Sequence, residues 1–351
     1  MPSNKGIKVG VKIKNLLEPE PIDFDRLKGK YIAIDAANAL YQFLSIIQPT
    51  TGLPLMDSQK RITSHLSGLF YRTINLVEKG IKPIYVFDGK PPAFKAKTIQ
   101  ERKADRENAY EQWKIALEIG DMESARKYGQ AAHKLTREMV DDAKKLLNAM
   151  GIPIVQAPTE GEAQAAFMVL KKDVWAVASQ DYDALLFGAP LIVRNLSLAE
   201  KRRIPRTKQY IKVEPELVDA IKNLQRLNIS REQLIDIAIL VGTDFNKGIK
   251  GVGAKTALKL IQKHKDLETV IKEKGFEFEK SEEELWEIRN FFLHPEVTEE
   301  YSLEIKKPNV DAINTLLIDE HQFNPTRVEK ALKRLEKAFL KKKQMKLEKW
   351  F

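Results

Sequence analysis

Short apolar runs that each stop at an acid constrain this chain most. Tyr31-Ile32-Ala33-Ile34-Asp35 and Pro83-Ile84-Tyr85-Val86-Phe87-Asp88 both close on a carboxylate. Ile152 to Ala157 leads into Thr159-Glu160-Gly161-Glu162, and Val174 to Ser179 leads into Asp181-Tyr182-Asp183. Leu191-Ile192-Val193 reads as a fifth run. Near-continuous apolar character over four to eight residues marks strands buried on both faces of a parallel sheet. Helical stretches lie between them. Ala36 to Phe43 follows the first run, and Leu66, Leu69, Phe70, Thr73, Ile74 and Val77 recur at helical spacing until Gly80. The segment from Ile46 to Arg61, with Pro49, Gly52 and Pro54, reads as loop or broken helix. The alternation predicts an α/β fold with a mostly parallel central sheet flanked by helices. Ligand sites in such sheets lie beyond the carboxyl ends of the strands, where Asp35, Asp88, Glu160, Glu162, Asp181 and Asp183 all fall.

Carboxylates grouped in this way repel one another unless a cation stands between them. Thr159 with Glu162 three residues on is a capping-box signature, which puts Glu160 and Glu162 in the first turn of a helix. Oxygen donors alone select Mg²⁺ or Mn²⁺, and two such ions can hydrolyse a phosphodiester. There is no cysteine, so thiolate sites and cysteine nucleophiles are excluded, and no Walker loop competes. The net charge of +10 favours a polyanionic partner, against the plainer reading of a basic protein with none. No apolar run approaches the length of a membrane span, and the N-terminus lacks a signal-peptide core. An intracellular, cytoplasmic protein is expected.

Between Gly89 and Gly151 lies a helical, strongly charged insertion with a break near Gly120-Asp121. Lys95 and Arg102, seven apart, share one face if the segment is helical; a solvated helix laced with ion pairs is the alternative. Lys201-Arg202-Arg203 and Arg206-Thr207-Lys208 form a basic turn around Pro205. A helix from Leu234 to Val241 precedes Gly242-Thr243-Asp244 and Gly248-Ile249-Lys250-Gly251-Val252-Gly253, and another follows from Ala254 to Lys263. Such glycines let backbone approach a phosphate, with free N–H groups at the next helix start and charge from Lys250, Lys255 and Lys259. A tight structural turn explains the glycines as well, and Asp244 by itself reads equally well as a cap. Ile46, Ile47, Leu53 and Leu55 suit either an apolar wedge or core packing. The last helix is expected from Arg327 to Lys343, followed by a tail.

Five motifs in this order resemble the flap endonuclease family, in its archaeal form, related to the XPG-type nucleases. They are Ile34-Asp35-Ala36, Val86 to Pro92, Ala157 to Ala163, Ala178 to Asp183, and Val241-Gly242-Thr243-Asp244. The resemblance spans nearly the whole chain. It implies a PIN-like 5′-nuclease fold with a helical arch insertion and a helix–two-turn–helix, and a structure-specific nuclease that removes 5′ flaps in replication and repair. Residue by residue, Asp35, Asp88, Glu160 and Glu162 match the first metal group and Asp181, Asp183 and Asp244 the second, with Mg²⁺ expected and Mn²⁺ as a substitute. Lys95 and Arg102 match the two basic residues of the arch, beside the scissile phosphate. Tyr41 matches a tyrosine on which a base stacks, though a core aromatic is the alternative.

The glycine loop (Gly248, Lys250, Gly251, Gly253) with Lys255 resembles the family's duplex-binding motif, where a monovalent cation also binds. The basic turn Lys201, Arg202 and Arg203 is a further expected DNA contact. Gln344, Leu347, Trp350 and Phe351 fit Gln-x-x-aliphatic-x-x-aromatic-aromatic, which resembles the box that docks on the sliding clamp PCNA. Exposed aromatics at a charged terminus are costly without a partner; a tail folded back on its own core is the alternative. Members usually begin with Met-Gly near the metals. The matching position here is Val9-Gly10, so the chain has a short basic extension or translation starts at Val9.

The expected organisation is a nuclease core over 1–89 and 151–335, an arch over 90–150, a helix–two-turn–helix at about 234–263, and a tail over 336–351 with the box at 344–351. The expected partners are branched DNA with a 5′ flap and the clamp, with no membrane, for a protein monomeric on its own. Two rivals remain: a bubble- or RNA-cutting relative, and a non-catalytic clamp-associated protein that binds branched DNA.

Overall fold

The computed structural model describes residues 10–47, 54–132, 134–196, 201–203 and 210–347, and only the backbone for 130, 201–203, 210–212 and 341–347. Val9, Leu53, Trp350 and Phe351 therefore lie outside the described residues.

Among the described residues nine strands are formed: β1 Glu20–Pro21, β2 Tyr31–Asp35, β3 Lys82–Phe87, β4 Ile154–Gln156, β5 Ala176–Ala178, β6 Leu191–Arg194, β7 Lys201–Arg203, β8 Tyr210–Lys212 and β9 Glu216–Asp219. Seven make one sheet in the order β1-β9-β6-β5-β2-β3-β4. The block β6-β5-β2-β3-β4 is parallel throughout, and β9 and β1 add antiparallel at one edge. All five apolar runs, the four that lead to an acid and Leu191-Ile192-Val193, are thus strands of the parallel block.

Alternation along each strand divides the core in two. Ala33, Ile84, Val86, Val177 and Ile192 face the helices Gly161–Leu170, Arg231–Val241 and Ala254–His264. Ile32, Ile34, Tyr85, Ala176 and Val193 face Ala36–Ile46, Ser64–Glu78, Arg137–Ala149 and Pro325–Leu347. Full burial of side chains such as Ile32 and Ile34 contributes about 1.5–3 kcal/mol each, which is why both faces need cover. The expected α/β sheet with helices on both faces is what forms.

Two local expectations are corrected. Thr159 does not cap the helix after β4. The N-cap is Glu160, whose side chain makes no capping bond, and the Gly161 N–H donates to Asp88 Oδ1 at 2.7 Å. An acid from the neighbouring strand end has taken the cap, while Thr159 Oγ1 donates to the Glu296 carbonyl. Lys201–Arg203 forms β7 and pairs antiparallel with β8, and the expected turn around Pro205 lies within 204–209, outside the described residues. The last helix runs Pro325–Leu347 without stopping at Lys343, so Gln344 and Leu347 continue it instead of starting a tail. Good helix formers fill those positions, and no glycine or proline interrupts them.

The insertion forms the helices Ala96–Glu118 and Met122–Ala132, turned at Gly120, whose φ is +72°. Asp121 fixes that turn by accepting from the Ser124 N–H at 3.0 Å.

Candidate active site

The carboxyl end of the parallel block gathers the predicted acids. Asp35 ends β2 and caps the helix Ala36–Ile46, accepting from the Asn38 N–H at 3.1 Å. Asp88 follows β3, Glu160 and Glu162 open the helix beyond β4, and Asp181 and Asp183 follow β5. Asp244 arrives from the turn after the helix Arg231–Val241. It reaches the others through backbone and cation: Gly10 N–H donates to Asp244 Oδ1 at 3.2 Å, and Val11 N–H to Asp183 Oδ1 at 2.8 Å.

The electrostatics show how closely these groups sit. Burial pushes Asp35 well above the carboxylate range, and Asp88, Asp181 and Glu160 add to it. Burial likewise raises Glu162, with Asp183, Asp35 and Asp181 as its acidic neighbours. Asp183 is raised by burial and then by Asp244 and Asp181. Asp181 is pushed up to about 6 by burial and Asp244, against the pull of Arg102, Arg194 and Asn38. Glu162 belongs with Asp183 as much as with Asp35, so the two predicted groups of acids share a border.

Two cations stand among the acids. Lys95 Nζ lies 2.5 Å from Glu160 Oε2, and Arg102 Nη2 lies 2.5 Å from Asp244 Oδ1. Burial opposes the charge on Lys95, but Glu160, Asp88 and Asp244 outweigh it and lift its pKa. Both side chains descend from the start of the arch, so their seven-residue spacing places them over one cluster. Tyr41 is half-buried on the helix Ala36–Ile46, its ring face covered by the Arg106 guanidinium at 5.1 Å.

The donor set fits hard divalent cations. Every predicted ligand is oxygen, burial and the neighbouring acids raise the pKa of Glu162, and Glu162 Oε1 is buried with no hydrogen-bond partner. Among the described residues no three acidic or imidazole side chains converge closely on one point; Lys95 and Arg102 stand between carboxylates instead.

Sequence reasoning missed several supporting groups. Asn38 donates its side-chain N–H to Asp181 Oδ2 at 2.6 Å while its backbone caps on Asp35, so it ties two acids together. Ser179 Oγ accepts from the Asp181 N–H at 3.1 Å and also bonds Glu162. Polar residues three after one acid and two before another were the available signal. Gly10 and Val11 carried none, because their contribution is backbone.

The glycine loop lies next to this cluster. Gly248 has φ +66°, and a Cβ there would meet the Val241 carbonyl carbon at 2.3 Å, so only glycine fits. Gly251 also has positive φ but faces open space, and Gly253 starts the helix Ala254–His264 with no side-chain cap. Lys250, Lys255 and Lys259 are exposed there, and none is in an ion pair among the described residues. A surface of free N–H groups and free ammonium groups is suited to phosphate. Ile46 and Leu55 are exposed apolar residues near the strand-like bridge Met56↔Ile62.

Known proteins resemble the chain over nearly its whole length. The XPG N-terminal domain matches residues 11–109 and the XPG I-region matches 151–244. The chain is 54% identical to the flap endonuclease 1 of Pyrococcus abyssi, covering 98% of both chains. It is 52% identical to that of Staphylothermus marinus, over 98% of this chain and all of that protein. The solved flap endonuclease-1 from Methanococcus jannaschii superposes with a TM-score of 0.75 at 44% identity, covering 95% of this chain and 100% of that one. The catalytic core of Rad2 in complex with DNA substrate shares the fold, with a TM-score of 0.65 at 23% identity over 90% of this chain and 96% of that one.

Proposed function

The chain belongs to the flap endonuclease family of XPG-type nucleases, and from that premise we propose that it cuts 5′ flaps from branched DNA by metal-dependent phosphodiester hydrolysis, with accompanying 5′-3′ exonuclease activity. The observation that carries the reading is the gathering of seven acids at one sheet end beneath two arch cations.

Asp35, Asp88, Glu160 and Glu162 would hold one Mg²⁺, and Asp181, Asp183 and Asp244 a second, with Mn²⁺ an acceptable substitute. Such a pair of ions supplies Lewis acidity on both sides of the scissile phosphate. Asn38 and Ser179 keep Asp181 and Glu162 oriented. Lys95 and Arg102, paired here with Glu160 and Asp244, would turn their charges toward the phosphate, where charge develops. Tyr41 lies under the arch with a ring face that a base can share once Arg106 moves. The glycine loop with Lys250 and Lys255 grips duplex backbone, as do Lys201, Arg202 and Arg203, and a monovalent cation can seat on the loop's carbonyls. These contacts are to backbone, so binding follows DNA shape and not base sequence. Gln344, Leu347, Trp350 and Phe351 serve as the box for a sliding clamp of the PCNA type, recruiting an otherwise monomeric enzyme during replication and repair. No described helix is long and apolar enough to cross a membrane, and intracellular action fits that role.

Cleavage of flap, bubble, nicked and RNA substrates with Mg²⁺, beside Asp181→Ala, tests this. Fast cutting of flaps lost in Asp181→Ala is expected. A variant that cuts at the wild-type rate would remove the acids from the chemistry, and a wild type that binds without cutting would favour the binding-only reading.

A further inference from the structure

The start of the arch makes a second set of contacts, on a different side from Lys95 and Arg102. Phe94, Lys97 and Glu101 are spaced three and four residues apart, which aligns them along one stripe. Phe94 meets Phe245 edge-on at 5.2 Å between ring centroids and Phe291 at 5.3 Å, and Phe245 meets Phe291 at 5.4 Å. Beside these rings the charges alternate. Lys247 Nζ lies 2.6 Å from Glu101 Oε1 and 3.4 Å from Glu279 Oε2, and Glu279 also pairs with Lys97. Phe245 and Lys247 come one and three residues after Asp244, the acid that Arg102 holds. One short segment therefore grips the arch base on two sides.

We infer that Lys97, Glu101, Lys247 and Glu279 form a charge clasp that sets the register of the arch over the carboxylates, and that Lys247 is a positioning residue for cleavage, not a DNA ligand. The inference rests on the reading of the arch and acids as the cleavage site. Apolar ring contacts hold the arch base close but tolerate sliding; paired charges at fixed positions do not. A rotation that opened the Lys247–Glu101 pair would carry Lys95 and Arg102 with it, because all lie within the first two turns. The position of Lys247, just before the glycine loop, otherwise suggests a phosphate contact, yet its ammonium is committed to two carboxylates. Its side chain is 58% exposed, so each pair is worth little by itself and salt weakens it.

The test is a charge swap, read as single-turnover cleavage of 5′-flap DNA at saturating enzyme. Lys247→Glu places a third acid beside Glu101 and Glu279, and about fivefold slower cutting is expected from the loss of such pairs. Glu101→Lys is expected to cut as slowly, although its added charge favours DNA binding. The double variant is expected to recover to within about twofold of wild type, as opposite charges again face each other at 247 and 101, the repulsion between the acid at 247 and Glu279 setting the remaining deficit. Amide hydrogen exchange over residues 94–103, without DNA or metal, should speed up in each single variant and return in the double. Recovery of neither rate nor exchange in the double variant, with weakened DNA binding in Lys247→Glu, would make Lys247 a phosphate contact. Wild-type cutting and wild-type exchange in both single variants would dismiss the clasp. If the wild type fails to cut flaps, the cleavage reading fails, and the exchange pattern still decides the clasp.

Discussion

Gly10→Ala tests how tightly the acids are packed. Gly10 has φ +75°, and a Cβ built there would lie 2.7 Å from Asp181 Oδ1 and 2.8 Å from its Cβ and Cγ. Holding alanine in that backbone region costs about 1–2 kcal/mol. An ordinary separation is about 3.5 Å, so either the backbone or Asp181 must move by roughly 0.8 Å. Asp181 is not free to turn aside, because it accepts the Asn38 bond at 2.6 Å and borders Asp183 and Asp244. If the backbone yields instead, the bonds from Gly10 to Asp244 and from Val11 to Asp183 stretch. Either route displaces a carboxylate, and a misplacement of about 1 Å can cost on the order of 100-fold in rate. Single-turnover flap cleavage is therefore expected to fall about 10- to 100-fold. The melting temperature should drop only a few degrees, as expected for roughly 1–2 kcal/mol. A folded variant that cuts within about twofold of wild type would refute the reasoning, since that leaves no room for a displaced acid.

Removing either arch cation, by Lys95→Ala or Arg102→Ala, is expected to slow cleavage about 10²–10³-fold, with flap binding much less affected; equal loss of both would make them binding residues. His65 is buried with both ring nitrogens unpartnered, and burial followed by the nearby His321 lowers its pKa from 6.5 to about 4. Its neutral form is the folded one, so its contribution is complete above pH 6.5 and is lost as pH falls toward 4, about 3 kcal/mol at most. His65→Met should flatten that part of the stability–pH curve measured by denaturant titration; parallel curves would exclude the effect. Deleting Gln344–Phe351 should leave basal cutting intact and abolish stimulation by a sliding clamp, whereas loss of basal cutting would place those residues in the core.

The sheet and its acids were legible because strand burial and strand ends leave one-dimensional marks. The runs around Ile32, Ile84 and Val177 are uniformly apolar because both faces are covered, and the acids follow each run directly. Asp244 follows a helix and a turn, so no strand pattern pointed to it; only the resemblance did. The capping box failed for a tertiary reason, since Asp88 is already placed to accept from Gly161 and outcompetes a local threonine. The ring contacts of Phe94, Phe245 and Phe291 were invisible for the same reason: their positions in the chain are far apart, and a phenylalanine in a charged helix start reads only as an isolated apolar residue. Gly10 and Val11 act through backbone, which composition cannot report.

β3 and β4 are neighbours in the sheet although residues 88–153 separate them in the chain, an interval that holds the helices Ala96–Glu118 and Met122–Ala132 before the core helix Arg137–Ala149. The entropy of closing such an excursion grows only as the logarithm of its length, about 0.6 kcal/mol for each doubling. The sheet is thus nearly indifferent to how long the excursion is, provided it leaves and returns at the same two points. Insertions and deletions in the outer turn, around Gly120, can lengthen or shorten the two helices that meet there while the acids at the strand ends stay where they are. The reach of that excursion and the placement of the acids are separate heritable traits.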